Sequence, residues 1–294
     1  MSTISSTTTS ASPVLDQPGR IGTKRTVLMC RPDHFTVVYR INPWMDPQMP
    51  TDTSLAVRQW ETLYQTYLDL GFDVHLIDPI EGLPDMVYAA NGGFVIDNIA
   101  YGASFTFVER QPEGPAYMRW FRAAGFDVRE PANVNEGEGD FLLVGDVILA
   151  GTGFRSASNS HEELAEISGR DVVTLNLVNP SFYHLDTAIA VLDDTNIAFL
   201  PSAFDEAGNA KLHELFPDAI IATEEDAAVL GLALRDEGGG QGGDAGDFHA
   251  VAAPDLLPGL ALGHLQPRLP FGLAGPARRG GNRGQARVGQ VAGG

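Results

Sequence analysis

The chain has 294 residues, 44% of them hydrophobic and 19% charged, enough for one large domain or two modest ones around an ordinary core. Its formal net charge of −19 disfavours nucleic acid or an anionic membrane as partner and suits a cationic small molecule. No apolar run approaches the roughly eighteen residues of a membrane span. The single cysteine, Cys30, leaves neither an internal disulfide nor a thiolate cluster for zinc or iron–sulfur, so no metal and no cofactor is expected and the setting reads as cytoplasmic.

Residues 1–20, MSTISSTTTSASPVLDQPGR, are Ser/Thr-rich, with neither a basic start nor a continuous apolar stretch. They read as a disordered lead-in rather than a secretory signal. Two later segments share a pattern: VRQWETLYQTYLDLGFDVHLIDP (57–79) and PAYMRWFRAAGFDVREP (115–131). Each passes from a helical apolar period through a Gly into the strand FDV and then a proline. NAKLHELFPDAIIATEED (209–226) is a looser third copy. Between them lie three hairpin-like segments with Asp-containing turns, FVIDNIAYGASF (94–105), FLLVGDVILAGTGF (141–154) and AVLDDTNIAFLPSAF (190–204). Hairpin, helix and strand recurring at roughly fifty residues predict an α/β repeat architecture, radial or solenoidal, against the competing α/β sandwich.

Beyond Gly231 the composition changes. Residues 232–294 contain no Ile, Lys, Ser, Thr, Tyr, Trp, Met or Cys, and hold 16 of the 33 glycines. With neither helical nor strand period, this tail is expected to be disordered over most of its length. Its Gly/Ala/Arg/Pro mixture is also what GC-rich DNA yields when translated out of frame, and the absence of Ser and Thr favours that origin over a linker.

Five segments place polar groups where apolar strands end: INPWM (41–45), LPDMVYAANGG (83–93), NEGEGDFL (135–142), GFRSASNSH (153–161) and FYHLDT (182–187). Taken singly, each also fits a turn, a solvated loop or a structural histidine. In SFYHLDT, strand alternation would turn His184 and Asp186 to one face, presenting a proton-transfer residue with a carboxylate neighbour.

Together, MCRPDHFTVVYRINPWM, PDMVYAANGGFV, EGEGD, GFRS and FYHLDTA are in the order and spacing of a known family. From about Ile21 to Gly231 the chain resembles the guanidine-modifying hydrolases and transferases of the pentein fold: dimethylarginine dimethylaminohydrolases, arginine deiminases and, most closely, bacterial arginine dihydrolases. The resemblance implies a five-bladed α/β-propeller of ββαβ units, its last blade incomplete here, and a guanidine ligand such as arginine or a methylarginine; a homo-oligomer is compatible with it. It assigns His184 as general acid/base. It gives the guanidinium to Asp85 with Glu136 and Asp140, since a planar cation of this kind is held by charge-assisted carboxylate contacts. Either Glu136 or Glu138 would be the inward carboxylate, with Glu136 preferred. Asp186 would help bind substrate or tune the histidine, Arg155 would take the α-carboxylate, and Asn42 would contact the far end of the substrate. Asn91, where deiminases carry a carboxylate, favours a dihydrolase giving ornithine, carbon dioxide and ammonia over a deiminase stopping at citrulline.

The family's nucleophile is a cysteine in a Gly-rich segment near the C-terminus, and no nucleophile is found at that place in this sequence. Cys30, at the end of the first strand, is not expected to replace it. The expected outcome is a hydrolase lineage without turnover, with a binder of arginine-like ligands or an inert gene product as the alternatives.

Overall fold

The computed structural model describes residues 26–225, 227 and 263–265, the last three as paired backbone. Its elements run β1 (Thr26–Cys30), α1 (Thr53–Asp69), β2 (Asp73–Ile77), β3 (Gly93–Ile96), β4 (Ile99–Gly102), α2 (Glu113–Ala124) and β5 (Asp127–Arg129). Then follow β6 (Phe141–Val144), β7 (Val147–Thr152), α3 (Asn159–Ser168), β8 (Asp171–Asn176), β9 (Ile189–Val191), β10 (Ile197–Phe199), α4 (Glu206–Leu215), β11 (Ile220–Ile221) and β12 (Gly263–Leu265). Among the described residues they form four three-stranded sheets, ordered β12-β1-β2, β3-β4-β5, β6-β7-β8 and β9-β10-β11. In the last three, an antiparallel hairpin leads through a helix to a third strand parallel to the second. The first sheet has the same build, with β12 in the place that the first hairpin strand holds in the others.

Local sequence explains these units. The β3–β4 turn, Asp97-Asn98, has φ of 47° and 68°; Asp and Asn tolerate that left-handed region, and two such residues match the twist of a two-residue hairpin. Asp52 caps α1 through the Leu55 amide at 2.9 Å, and Asp205 caps α4 through that of Gly208 at 2.7 Å. Helix α2 ends on Gly125 with φ of 94°, which turns the chain directly into FDV. The predicted helices and hairpins thus appear where their patterns lie, and α3 completes the third unit. The sequence pattern did not mark α3 because its run, NSHEELAEIS, passes from Gly169 into RDV rather than the FDV that follows α1 and α2.

All four residues of β3 and of β6 are buried, as befits strands covered on both faces. One apolar cluster joins the second and third units through Phe94, Tyr101, Phe141, Ile148 and Leu164; another joins the third and fourth through Leu149, Leu175, Leu185, Ile197 and Phe199. Neighbouring units are therefore glued by shared core.

No described helix is long and apolar enough to cross a membrane. The lead-in 1–20 lies outside the described residues, as does the tail 232–294 apart from β12. That strand pairs antiparallel with β1, Leu28 opposite Gly263; its extended form is supplied by the β1 edge rather than by any alternation of its own.

Truncating Phe141, fully buried between two units, should cost about 3–5 kcal/mol. Urea unfolding of Phe141→Ala should show it, and a loss below about 1 kcal/mol would mean that the shared core does not join the units.

Candidate active site

Three of the polar segments, 83–93, 135–142 and 182–187, lie at equivalent places in successive units, ahead of the first strand. Pro84–Val87 and Ala89–Gly92 are 3-10 turns leading into β3, Gly137–Gly139 leads into β6, and Leu185–Thr187 leads into β9. Repetition of the unit brings these turns together, with Ala89–Gly92 and Leu185–Thr187 both packing on Gly137–Gly139. Glycine permits that approach. Gly137 has φ of 57°, and a Cβ there would strike the backbone of Gly93 and Ala90; at Gly139 it would strike the Asn91 amide and lie 3.1 Å from His184 Nδ1.

His184 is buried between two carboxylates, with Nδ1 3.2 Å from Asp140 Oδ1 and Nε2 3.3 Å from Glu136 Oε2. Burial opposes its charge, but Asp140 and Glu136 outweigh burial and push its pKa up to about 9. Glu136 shows the complement. Burial alone would raise its pKa, yet His184, Arg155 and Arg110 hold it down at about 2. Arg155 Nη1 donates to Glu136 Oε2 at 2.9 Å and its Nη2 to the Ile41 carbonyl at 3.1 Å, while its guanidinium stacks between the Phe107 and Tyr183 rings, 4.7 Å from each centroid. Asp140 accepts from Ser156 Oγ at 2.6 Å and from the Leu185 amide at 3.2 Å, so both of its oxygens are engaged.

Asp85 is buried; its Oδ2 accepts from Tyr39 Oη at 2.9 Å and lies 3.8 Å from Arg110 Nε. Burial raises its pKa and Arg110 works against that. Asn91 accepts from Arg110 Nη1 at 3.0 Å and donates to the Glu136 carbonyl at 3.3 Å. Asn42 donates to Tyr183 Oη at 3.0 Å and closes its own loop by accepting from the Trp44 and Met45 amides. Asn42 and Arg155 therefore share Tyr183, next in sequence to His184.

One expectation is corrected. His184 and Asp186 do not share a strand face, because Leu185–Thr187 is a 3-10 turn, in which two-residue alternation does not hold. The carboxylates on the imidazole are Asp140 and Glu136. Asp186 is half-buried and its pKa is pushed up to about 7, by burial first, against the pull of His184. Of the two glutamates in EGEGD, Glu136 is the one that meets the histidine.

The sequence reading missed Arg110 and Glu113. Arg110 is buried and forks onto Glu113, Nε to Oε1 at 3.1 Å and Nη2 to Oε2 at 2.8 Å, with Nη2 also on the Asp85 carbonyl at 3.2 Å. The Phe105 ring lies under it, 4.5 Å to the centroid. Burial opposes its charge, yet Glu113, Asp85 and Glu136 raise its pKa. Its available signal was the Arg–Glu spacing of three residues at the start of a helix, in RQPE. Cys30 lies in the core with Leu28, Ile77 and Tyr117, and burial first, then Glu113, pushes its thiol up to about 12. Such a thiol stays protonated and is a poor nucleophile. Among the described residues no group of His, Cys, Asp and Glu could hold a metal ion.

Fold and site together define a class: repeated β-hairpin, helix, strand units whose equivalent turns enclose a histidine clamped by carboxylates. No family model matches the chain. It is 51% identical over 214 residues to N(G),N(G)-dimethylarginine dimethylaminohydrolase of Mycobacterium tuberculosis, covering 73% of this chain and 71% of that protein. It is 39% identical over 208 residues to the bifunctional arginine dihydrolase/ornithine cyclodeaminase ArgZ of Synechocystis, covering 68% of this chain and 29% of that protein. The crystal structure of the N-terminal domain of ArgZ bound to substrate superposes with a TM-score of 0.67 at 37% identity, over 70% of this chain and 79% of that one. A dimethylarginine dimethylaminohydrolase adduct with S-methyl-L-thiocitrulline, 17% identical, shares the fold with a TM-score of 0.59 over 70% of this chain and 80% of that one. The chain belongs to the pentein family of guanidine-modifying hydrolases.

The clamp on His184 has a pH signature. Its folded pKa of about 9 lies above the ordinary 6.5, so its contribution to stability is complete below pH 6.5 and is lost as pH rises through about 9. Glu136, lowered from 4.5 to about 2, adds stability above pH 4.5 that is lost as pH falls through about 2. Between pH 6.5 and 9 the wild type should lose on the order of 1–3 kcal/mol more than His184→Gln in urea titrations. Parallel curves would refute the clamp.

Proposed function

We propose that the lineage reaction is hydrolysis of a C–N bond in the guanidinium of L-arginine or a methylated arginine, and that this 294-residue chain retains the acid/base half of the machinery without its nucleophile. The observation that carries the first half is His184, buried with its two ring nitrogens 3.2 Å from Asp140 and 3.3 Å from Glu136, carboxylates that favour its charged form. An imidazolium so held can protonate a departing amine and, once neutral, activate water. Arg155 and Asn42, joined through Tyr183, are suited to the amino-acid end of the substrate. Asp85 and Asp140 belong to the charged wall around the reacting group.

The second half rests on the thiol. Formation of a covalent amidino intermediate needs a thiolate at the guanidinium carbon. Residues 232–294 contain no cysteine, and Cys30 is buried in the apolar core with its proton held on. Loss of the nucleophile from a covalent mechanism costs on the order of 10⁶ in turnover. Asn91, holding Arg110 and the Glu136 carbonyl rather than adding a further carboxylate, favours the dihydrolase branch.

The purified chain, incubated with L-arginine and with asymmetric dimethylarginine, should release no ornithine, citrulline or dimethylamine above background. Turnover at ordinary enzymic rates would overturn the missing-nucleophile reading. Translation of the other frames beyond codon 231 should restore a Gly-rich segment followed by cysteine, and the corrected protein should produce ornithine from arginine. Citrulline as its sole product would refute the assignment built on Asn91.

A further inference from the structure

The hydroxyl of Ser156 reaches both ends of the turn whose carboxylates clamp His184. It accepts from the Glu136 amide at 3.0 Å and donates to Asp140 Oδ2 at 2.6 Å, so a single buried oxygen closes the stretch from Glu136 to Asp140. The place of that oxygen is fixed from outside. In the bend between β7 and α3, the Arg155 carbonyl accepts from Thr106 Oγ at 2.6 Å, the Ser156 carbonyl accepts from Thr152 Oγ at 2.8 Å, and the Ala157 amide donates to the Val134 carbonyl at 3.0 Å. Three consecutive residues are tied down by their backbone, and a side chain on so constrained a stretch is preorganised.

Asp140 uses its two oxygens unequally. Oδ1 is shared by His184 Nδ1 and the Leu185 amide, both at 3.2 Å, whereas among the described hydrogen bonds Oδ2 is held by Ser156. The torsion that turns a carboxylate about its Cβ bond is broad, so a group gripped at one oxygen is free to swing off the ring. Asp140 is buried, and without Ser156 its Oδ2 would stand in the interior with no donor. A carboxylate that turned to find another donor would leave His184 Nδ1.

We propose that Ser156 is a positioning residue for the acid/base: by fixing the plane of the Asp140 carboxylate it sets the orientation and the proton affinity of the His184 imidazole. This rests on the reading of His184 as the acid/base of the site. The charged groups around the imidazole are Glu136 and Asp140 from the turn before β6, where Glu138 also lies, and Asp186 from its own turn, with Arg155 and Arg110 acting on Glu136. Of these side chains Asp140 is the one bonded to Ser156, so a change at Ser156 acts on the Nδ1 side of the ring.

NMR titration of the histidine ring signals in the full chain decides it, with His184 assigned by its loss in His184→Gln. In wild type the His184 midpoint should lie near 9. Ser156→Ala should lower it by about one pH unit, the order expected when a hydrogen bond to a charged group is lost, and Ser156→Thr, which keeps the hydroxyl, should restore it. A serine that merely closes the turn would lower the urea midpoint and leave the titration where it was. An unmoved His184 midpoint in folded Ser156→Ala would therefore overturn this assignment and leave the function proposed above standing. A wild-type midpoint at about 6.5, the ordinary histidine value, would overturn both. If Ser156→Ala does not fold, Ser156→Cys takes its place, since a thiol is a weak donor of similar size: a midpoint equal to that of wild type would overturn the assignment.

Discussion

The carboxylate of Glu136 is the contact on which the rest of the site depends. Its Oε2 is approached by Arg155 at 2.9 Å, His184 at 3.3 Å and Arg110 at 3.8 Å, from three different stretches of chain. A buried anion must be matched by cations in fixed geometry, because the low dielectric that strengthens each pair also penalises any that fails to form. The backbone around Glu136 is constrained to the same end: its amide donates to Ser156 Oγ, which donates in turn to Asp140, the other partner of His184. The imidazole is thereby fixed at both nitrogens, through a set of bonds closed on itself.

Repetition explains how so many charges reach one place. The second, third and fourth units each begin with a turn before their first strand, and these equivalent turns meet at a common centre. One short local pattern, used several times, supplies a wall of polar groups while the sheets and helices behind it stay apolar. This division lets a domain with Phe94, Tyr101 and Phe141 in its core also bury Arg110 and Glu136 without conflict.

The fold was legible because its signals are local. IDNI is a hairpin turn and AAGFDV a helix end followed by a strand, and each needs only its own few residues. His184, Glu136, Asn91 and Arg155 were legible because they sit in short ordered motifs. Arg110 was not, since RQPE says nothing of the Asp85 carbonyl or the Asn91 amide until the chain has folded. Asp186 was misplaced for a related reason: alternation presumes a strand, and HLDT instead tightens into a turn once Thr187 bonds back to the His184 carbonyl. Glu138 was hidden by its neighbour, as EGEGD offers two glutamates and only the turn decides which meets the histidine.

The pairing of β1 with β12 bears on the order in which the molecule assembles. The other three sheets are made from neighbouring stretches of chain, whereas this contact joins the first described strand to the last. Closing so long a loop is entropically demanding and, among the described residues, is repaid by three facing residue pairs, so it belongs at the end of folding. The turns that carry Asn91, Glu136 and His184 all lie in the stretch between. The charge cluster can therefore form from the middle of the chain outward, with the β12 edge added as a late clasp on a structure already organised around its site.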